Sequence, residues 1–241
     1  MKKEHCHEIE VKYTVKSDKV EKIKTALERL GFTFKSTAKI VDKWLPVGKE
    51  WVRLREQKKL VTNKSGETKF GDSKFEVGSK KTIEEDGGLK NKCENESGTD
   101  EFIADTMLKM AKHNRRALPT VRKTRTSWTV VINKREYTAV IDHVYKLGRF
   151  NGFYFELETL VPFNVDDPSA KSDVKKLASK ILSAAYKGAK GKPTKCELMS
   201  YRKMALAYQA KQRRTKQIKL KLKQAKPKRS QTKRPSKHHC Q

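Results

Sequence analysis

Residues on a β-strand alternate between two faces. The segment His7-Glu8-Ile9-Glu10-Val11-Lys12-Tyr13 therefore places Ile9, Val11 and Tyr13 on one face and Glu8, Glu10 and Lys12 on the other. A solvated surface strand is the ordinary reading of one such pattern, so repetition along the chain is what decides. Arg53 and Arg55 share a face opposite Val52 and Leu54. In Lys92-Cys93-Glu94-Asn95-Glu96 two carboxylates and a lysine share a face, echoing the first strand. Trp128, Val130 and Ile132 mark an apolar face that puts Lys123 and Arg125 on the other side, and Glu156 and Glu158 oppose Phe155 and Leu157. Along Phe75-Glu76-Val77-Gly78-Ser79-Lys80-Lys81, parity favours Lys80 over Lys81 for the charged face.

The same periodicities outline the remaining elements. Ser17-Asp18 caps a predicted helix to about Leu30, with Val20, Ile23, Leu27 and Leu30 on one stripe and Gly31 as its stop. Residues 32–45 read as one or two strands containing Asp42 and Trp44, and residues 51–55 as a short strand. Residues 58–72, polar with Gly66 and Gly71, read as a loop or loose hairpin. Strands are predicted at 74–83, 91–97, 120–132, 137–145 and 152–161. Helices are predicted from Thr99 or Asp100 to about His113, from Asp166-Asp167-Pro168 to about Tyr186, and from near Cys196 into the C-terminal segment.

Composition adjusts this outline. The 241 residues suffice for one large domain or two small ones, and with 35% apolar and 35% charged residues a core is feasible but not generous. No apolar run approaches the roughly 18 residues of a membrane span, and no signal-type apolar segment is evident, so a cytoplasmic protein without membrane association is expected. Cys6, Cys93, Cys196 and Cys240 are widely separated, which argues against a zinc ribbon or a disulfide scaffold. His5-Cys6-His7 and His238-His239-Cys240 are poor metal sites, because adjacent side chains rarely converge on one ion. The formal net charge is +29, and residues 187–241 carry 19 Lys and Arg against one acid, Glu197. The chain is thus read as a domain spanning residues 1–208 and a basic, partly disordered tail spanning 209–241, the tail being either a polyanion-binding arm or a solubilising end.

Strands that each present charge on one face and apolar groups on the other fit an α+β architecture. Its centre is a closed antiparallel eight-stranded β-barrel whose apolar faces meet flanking helices and whose charged faces line a channel. A barrel of about eight strands holds one small ligand among its side chains. Burying so many charges is tolerable only if they pair with each other, with metal and with ligand. Carboxylate clusters beside Lys/Arg clusters select a polyphosphate chain held by a divalent cation.

At this point the chain resembles the CYTH superfamily, the triphosphate tunnel metalloenzymes, from about Glu8 to Met204. The residues that carry the resemblance are Glu8-x-Glu10-x-Lys12, Asp42-Lys43-Trp44, Arg53-x-Arg55, a strand-end Lys80 or Lys81, and Glu94-x-Glu96 followed by a helix. Lys123-x-Arg125, the stretch Ile141-Asp142-His143-Val144-Tyr145-Lys146-Leu147-Gly148-Arg149-Phe150, Glu156-Leu157-Glu158 and Ser200-Tyr201 complete the set. The resemblance implies a tunnel that binds a triphosphate with Mg²⁺ or Mn²⁺. It implies Glu8, Glu10, Glu158 and Glu156 as metal ligands, with Glu156 and Glu158 not ranked decisively. Lys12, Arg53, Arg55, Lys80, Lys123 and Arg125 would hold phosphates, the arginines by bidentate contacts. Glu94, Glu96 and Asp142 would be catalytic, holding a second metal or positioning water, with a structural ion-pair role as the alternative for Glu96 and Asp142.

Two reactions share this apparatus. Water as nucleophile makes a triphosphatase, acting on inorganic triphosphate, a nucleoside or organic triphosphate, or an RNA 5′-triphosphate. A ribose hydroxyl attacking the α-phosphate makes a class IV adenylate cyclase. The hydrolase is favoured because it needs only the tunnel. A non-catalytic module binding RNA or polyphosphate through the tail is a third reading, and a homodimer is an assembly the resemblance allows.

Overall fold

The computed structural model describes residues 6–47, 50–63, 66–86, 89–112, 118–162, 167–187, 197 and 199–224, with side chains described except at 6–7, 80–86, 89–96, 111–112 and 222–224. Eight strands, β1 (Cys6–Val15), β2 (Thr33–Val47), β3 (Glu50–Thr62), β4 (Thr68–Asp86), β5 (Leu89–Thr99), β6 (Thr120–Ile132), β7 (Arg135–Tyr145) and β8 (Gly152–Pro162), pair antiparallel in the order β1-β5-β4-β3-β2-β6-β7-β8. β1 also pairs with β8, from Cys6 opposite Pro162 to Val15 opposite Phe153, and with β5 from His7 opposite Cys93 to Val11 opposite Leu89. Every strand thus has two neighbours, and the sheet is a closed barrel.

Helices α1 (Val20–Arg29) and α3 (Pro168–Tyr186) cover β1, β7 and β8. Their buried stripes, Val20, Ile23 and Leu27 on α1 and Ala170, Val174, Ile181 and Leu182 on α3, enclose the outward residues Ile9, Val11, Ile141, Phe155 and Leu157 in one core. Each large aliphatic or aromatic side chain fully buried there contributes about 1.5–3 kcal/mol. Gly31, at φ +82°, ends the α1 segment in the left-handed region as the sequence suggested. α2 (Glu101–Lys112) is capped by Asp100, whose Oδ1 accepts from the Ile103 N–H at 2.7 Å. It packs through Ala104, Met107 and Leu108 on Leu45, Leu54, Phe75 and Val77. β6 and β7 join through Asn133 and Lys134, both at positive φ, a tight two-residue hairpin turn.

For residues 58–72 the hairpin alternative holds: β3 runs to Thr62 and β4 starts at Thr68, with Leu60 opposite Phe70, Thr62 opposite Thr68 and a bulge after Lys58. Two local expectations change. Residues 17–19 form a 3-10 turn ahead of α1, and no side chain caps it. The last helix, α4 (Tyr201–Gln224), starts at Tyr201 rather than near Cys196. The chain divides into compact units Met1–Tyr208 and Gln209–Gln241. Among the described residues no helix is long and apolar enough to cross a membrane.

Candidate functional site

β1 is buried on both sides. Its apolar residues join the helix-covered core, and Glu8, Glu10 and Lys12 point the other way into the barrel, none more than 3% exposed. Among the described residues six strands carry buried charges: Asp42 on β2, Arg55 on β3, Lys123 on β6, Asp142 on β7 and Glu156 on β8 join those of β1. Interior charges at this density persist only when each meets an opposite charge or a ligand.

Among the described residues the interior carboxylates form two sets. In the first, Glu8, Glu10 and Glu158 each offer an oxygen, and these oxygens all lie within 4.8 Å of one another. The register explains it: Glu10 lies directly opposite Glu158 on β8, and Glu8 is the next same-face residue on β1. An all-oxygen set is the donor chemistry of a hard divalent ion, so these residues fit Mg²⁺ or Mn²⁺.

The second set, Asp42, Asp142 and Glu156, forms close ion pairs. Asp42 takes Arg55 in a bidentate pair, Nε to Oδ1 at 2.7 Å and Nη2 to Oδ2 at 3.2 Å. Asp142 accepts from Lys123 Nζ at 2.8 Å, from Arg125 Nε and Nη2 at 2.8 and 2.7 Å, and from the Tyr201 hydroxyl at 2.9 Å. Glu156 accepts from Arg125 Nη2 at 2.7 Å and pairs with Lys12 Nζ at 2.9 Å. Asp142, expected to be catalytic or else an ion-pair partner, and Glu156, expected near the metal, both lie in these ion pairs, and Glu156 stands outside the Glu8–Glu10–Glu158 cluster.

These surroundings set the protonation states. Burial alone would raise Asp42, Asp142 and Glu156, but the adjacent Arg55, the Arg125–Lys123 pair and the Lys12–Arg125 pair, respectively, hold them below the usual carboxylate range. The two buried lysines diverge. Burial opposes the charge on Lys12, yet Glu156 and Glu10 beside it raise its pKa above the ordinary 10.5. Burial together with the like charge of Arg125 pushes Lys123 down to about 8.

The two ends of the barrel differ. At one end Tyr201 and Met204, from the first turn of α4, pack with Trp44, Val121, Val144 and Tyr154. The Lys12 and Lys123 ammoniums lie 3.7 and 4.4 Å from the centre of the Tyr201 ring. Tyr201 is held neutral, burial and then the Asp142 and Glu156 charges raising it well above 10. At the other end a cavity of about 390 Å³ opens beside Glu8 and Glu158, bounded by Lys134, Arg135, Glu136 and Leu160.

Arg53, half-buried on β3, lies opposite Trp44 on β2 and Gly78 on β4. Backbone register sets Lys80 opposite Glu94, Glu96 opposite Gly78, and Lys81 opposite Cys93. The side chains of Lys80, Lys81, Glu94 and Glu96 lie outside the described residues, as do those of both His/Cys clusters. Two members of the site, Asp42 and Tyr201, carry the family resemblance in the sequence but are given no chemical role by it. Asp42 sits between Ile40 and Trp44 at same-face positions, so alternation alone reads that face as apolar. Tyr201 meets Asp142 across 59 positions of sequence, a pairing no local pattern reports.

Among solved structures the chain is similar to the PH1012 protein of Pyrococcus horikoshii, with 20% identity, a TM-score of 0.54, and coverage of 82% of this chain and 98% of that chain. It is similar to a conserved hypothetical protein from Pyrococcus furiosus at 17% identity and TM-score 0.54, covering 82% and 99%. At these identities the likeness is one of fold. The mimivirus capping enzyme triphosphatase is a looser likeness, 11% identical with TM-score 0.42 over 73% of this chain and 89% of that one. No protein of curated function matches the chain. The CYTH domain family matches residues 7–192, well over half the sequence. Together with the closed eight-stranded barrel and its charged interior, that match shows that the chain belongs to the CYTH domain family.

Proposed function

We propose that the barrel interior is a divalent-cation-dependent triphosphatase centre. The observation that carries this reading is the Glu8–Glu10–Glu158 cluster lying in the same interior as the buried cations Lys12, Arg55 and Lys123. A Mg²⁺ or Mn²⁺ ion held by those three carboxylates would neutralise phosphate oxygens and align the triphosphate for in-line displacement. Lys12, Arg53, Arg55, Lys123 and Arg125 bind the phosphate oxygens, joined by Lys80 from β4. The guanidiniums suit paired oxygens and the ammoniums act as point charges.

Asp42, Asp142 and Glu156 act as positioning residues. Their ion pairs fix Arg55, Lys123, Arg125 and Lys12 before a ligand arrives, so little reorganisation accompanies binding. Glu94 and Glu96, on β5 beside β1, would hold a second cation or orient the attacking water. Water attacks the terminal phosphorus, the bridging P–O bond breaks, and orthophosphate and the shortened chain leave.

The test is incubation of purified protein with Mg²⁺ or Mn²⁺ and, in parallel, inorganic triphosphate, ATP and 5′-triphosphorylated RNA. Orthophosphate release supports the triphosphatase. Cyclic AMP with pyrophosphate would replace it by the cyclase, and tight binding without product by a receptor.

A further inference from the structure

Residues 209–224 continue α4 with a composition that the triphosphatase reading leaves unused. Every residue from 210 to 221 is exposed, and Lys211, Arg213, Arg214, Lys216, Lys219 and Lys221 fall in that stretch. No Asp or Glu occurs between Tyr201 and Gln224, and residues 225–241 add six further Lys or Arg and no acid.

An exposed helix usually offsets its charges with opposite charges three or four residues away. Here Lys211 with Arg214, Arg213 with Lys216, and Lys216 with Lys219 are like-charged at i,i+3, so this helix gains from any polyanion that screens them. At about 100° per residue, the six cations spread around the whole circumference rather than along one side. Ile218 and Leu220, 59% and 58% exposed, are two positions apart and so on different sides. A helix lying on a lipid surface needs one apolar face, and a helix docked in an acidic protein groove needs one basic face. Neither description fits. A ligand that meets cations on every side must bend around the helix while presenting negative charge at short intervals, as a single-stranded phosphate backbone does. Between Gln209 and Gln224 no aromatic residue is available for base stacking, so binding is to backbone phosphates and independent of base sequence.

We propose that residues 209–224 of α4 bind single-stranded RNA through its phosphates, and that 5′-triphosphorylated RNA is accordingly the substrate class of the barrel. The second half rests on the triphosphatase reading, because an RNA chain begun de novo ends in the group that the interior accommodates.

The experiment uses the full chain and a 20-nucleotide unstructured RNA bearing a 5′-hydroxyl, so that the barrel has no triphosphate to capture. Anisotropy titrations across a salt series are run on the wild type and on a variant with the six basic residues at 211, 213, 214, 216, 219 and 221 changed to Gln. The variant is expected to bind about tenfold or more weakly and to flatten the slope of log affinity against log salt. Each phosphate that is no longer neutralised lowers the magnitude of that slope by about 0.7. Unchanged affinity in the variant overturns the proposal, as does tighter wild-type binding of long-chain inorganic polyphosphate or of phosphatidylserine vesicles. Hydrolysis of inorganic triphosphate, measured on the same two proteins, should be equal. If neither protein hydrolyses it while RNA binding behaves as expected, the triphosphatase reading fails and the RNA site stands.

Discussion

The Tyr201 hydroxyl donates to Oδ2 of Asp142 at 2.9 Å, so the first turn of α4 is tied to the ion-pair hub of β7. Tyr201→Phe removes that bond but keeps the ring beside Lys12 and Lys123, and Asp142 retains Lys123 and Arg125. A loss of about 1 kcal/mol is expected in urea unfolding. Tyr201→Ala also opens a cavity against Trp44 and Tyr154, and about 3–5 kcal/mol should be lost. Equal losses for the two variants would show that the ring contributes nothing beyond its hydroxyl.

Asp142→Asn leaves Lys123 and Arg125 without their shared counter-charge, and about 3–5 kcal/mol of stability should go. Chemical denaturation of this variant beside the wild type measures the loss, and an unchanged midpoint would mean that the hub is dispensable to the fold.

Cation binding should rest on Glu8, Glu10 and Glu158. The Glu8→Gln, Glu10→Gln double variant is expected to lose Mn²⁺ binding by calorimetry. Its triphosphate turnover should fall about 100-fold or more, since such an ion contributes several kcal/mol to the barrier. Full turnover in this variant would remove the cluster from the chemistry.

Lys123 gives the protein a titration near pH 8. Its folded value lies below the ordinary 10.5, so the folded state binds fewer protons than the unfolded chain between about pH 8 and 10.5. The cost of its buried charge is therefore full below pH 8 and is relieved as pH rises through that window, at no more than about 1.4 kcal/mol per pH unit. Triphosphate affinity should fall over the same window as the ammonium loses its proton. Lys123→Met should flatten both profiles, which paired unfolding and calorimetric measurements from pH 7 to 10 will read.

Gly148 has φ +62°, and a Cβ there would come within 2.6 Å of the Tyr208 ring. Gly148→Ala should displace Tyr208 and cost about 1–3 kcal/mol in thermal or urea unfolding. An unchanged midpoint would mean that the close approach is not needed.

Much of this site was legible because β1 is buried on both faces with opposite chemistry, so Glu8, Glu10 and Lys12 stand out against Ile9 and Val11. The same holds for Arg53 and Arg55 on β3 and for Lys123 and Arg125 on β6. Legibility fails where the interior turns apolar near Tyr201. There Asp42 sits between Ile40 and Trp44, and Asp142 between Val140 and Val144, so parity no longer marks a charged face. Alternation also cannot separate Glu156 from Glu158, which share a face. Their partners separate them: Glu158 meets Glu10 across the β1–β8 ladder, and Glu156 meets Lys12.

The pairing of Cys6 with Pro162 sets an order of events during folding. Among the eight barrel strands β1 is synthesised before both of its neighbours, which come much later in the chain, so β1 waits unpaired until β5 and β8 exist. Closure over such separations is slow, on the millisecond-to-second scale of barrels rich in distant contacts. While β1 waits, its charged face keeps it hydrated and resists pairing with other chains, as charged edge strands do. The residues that come to enclose a buried interior thus first serve as protection for an open edge.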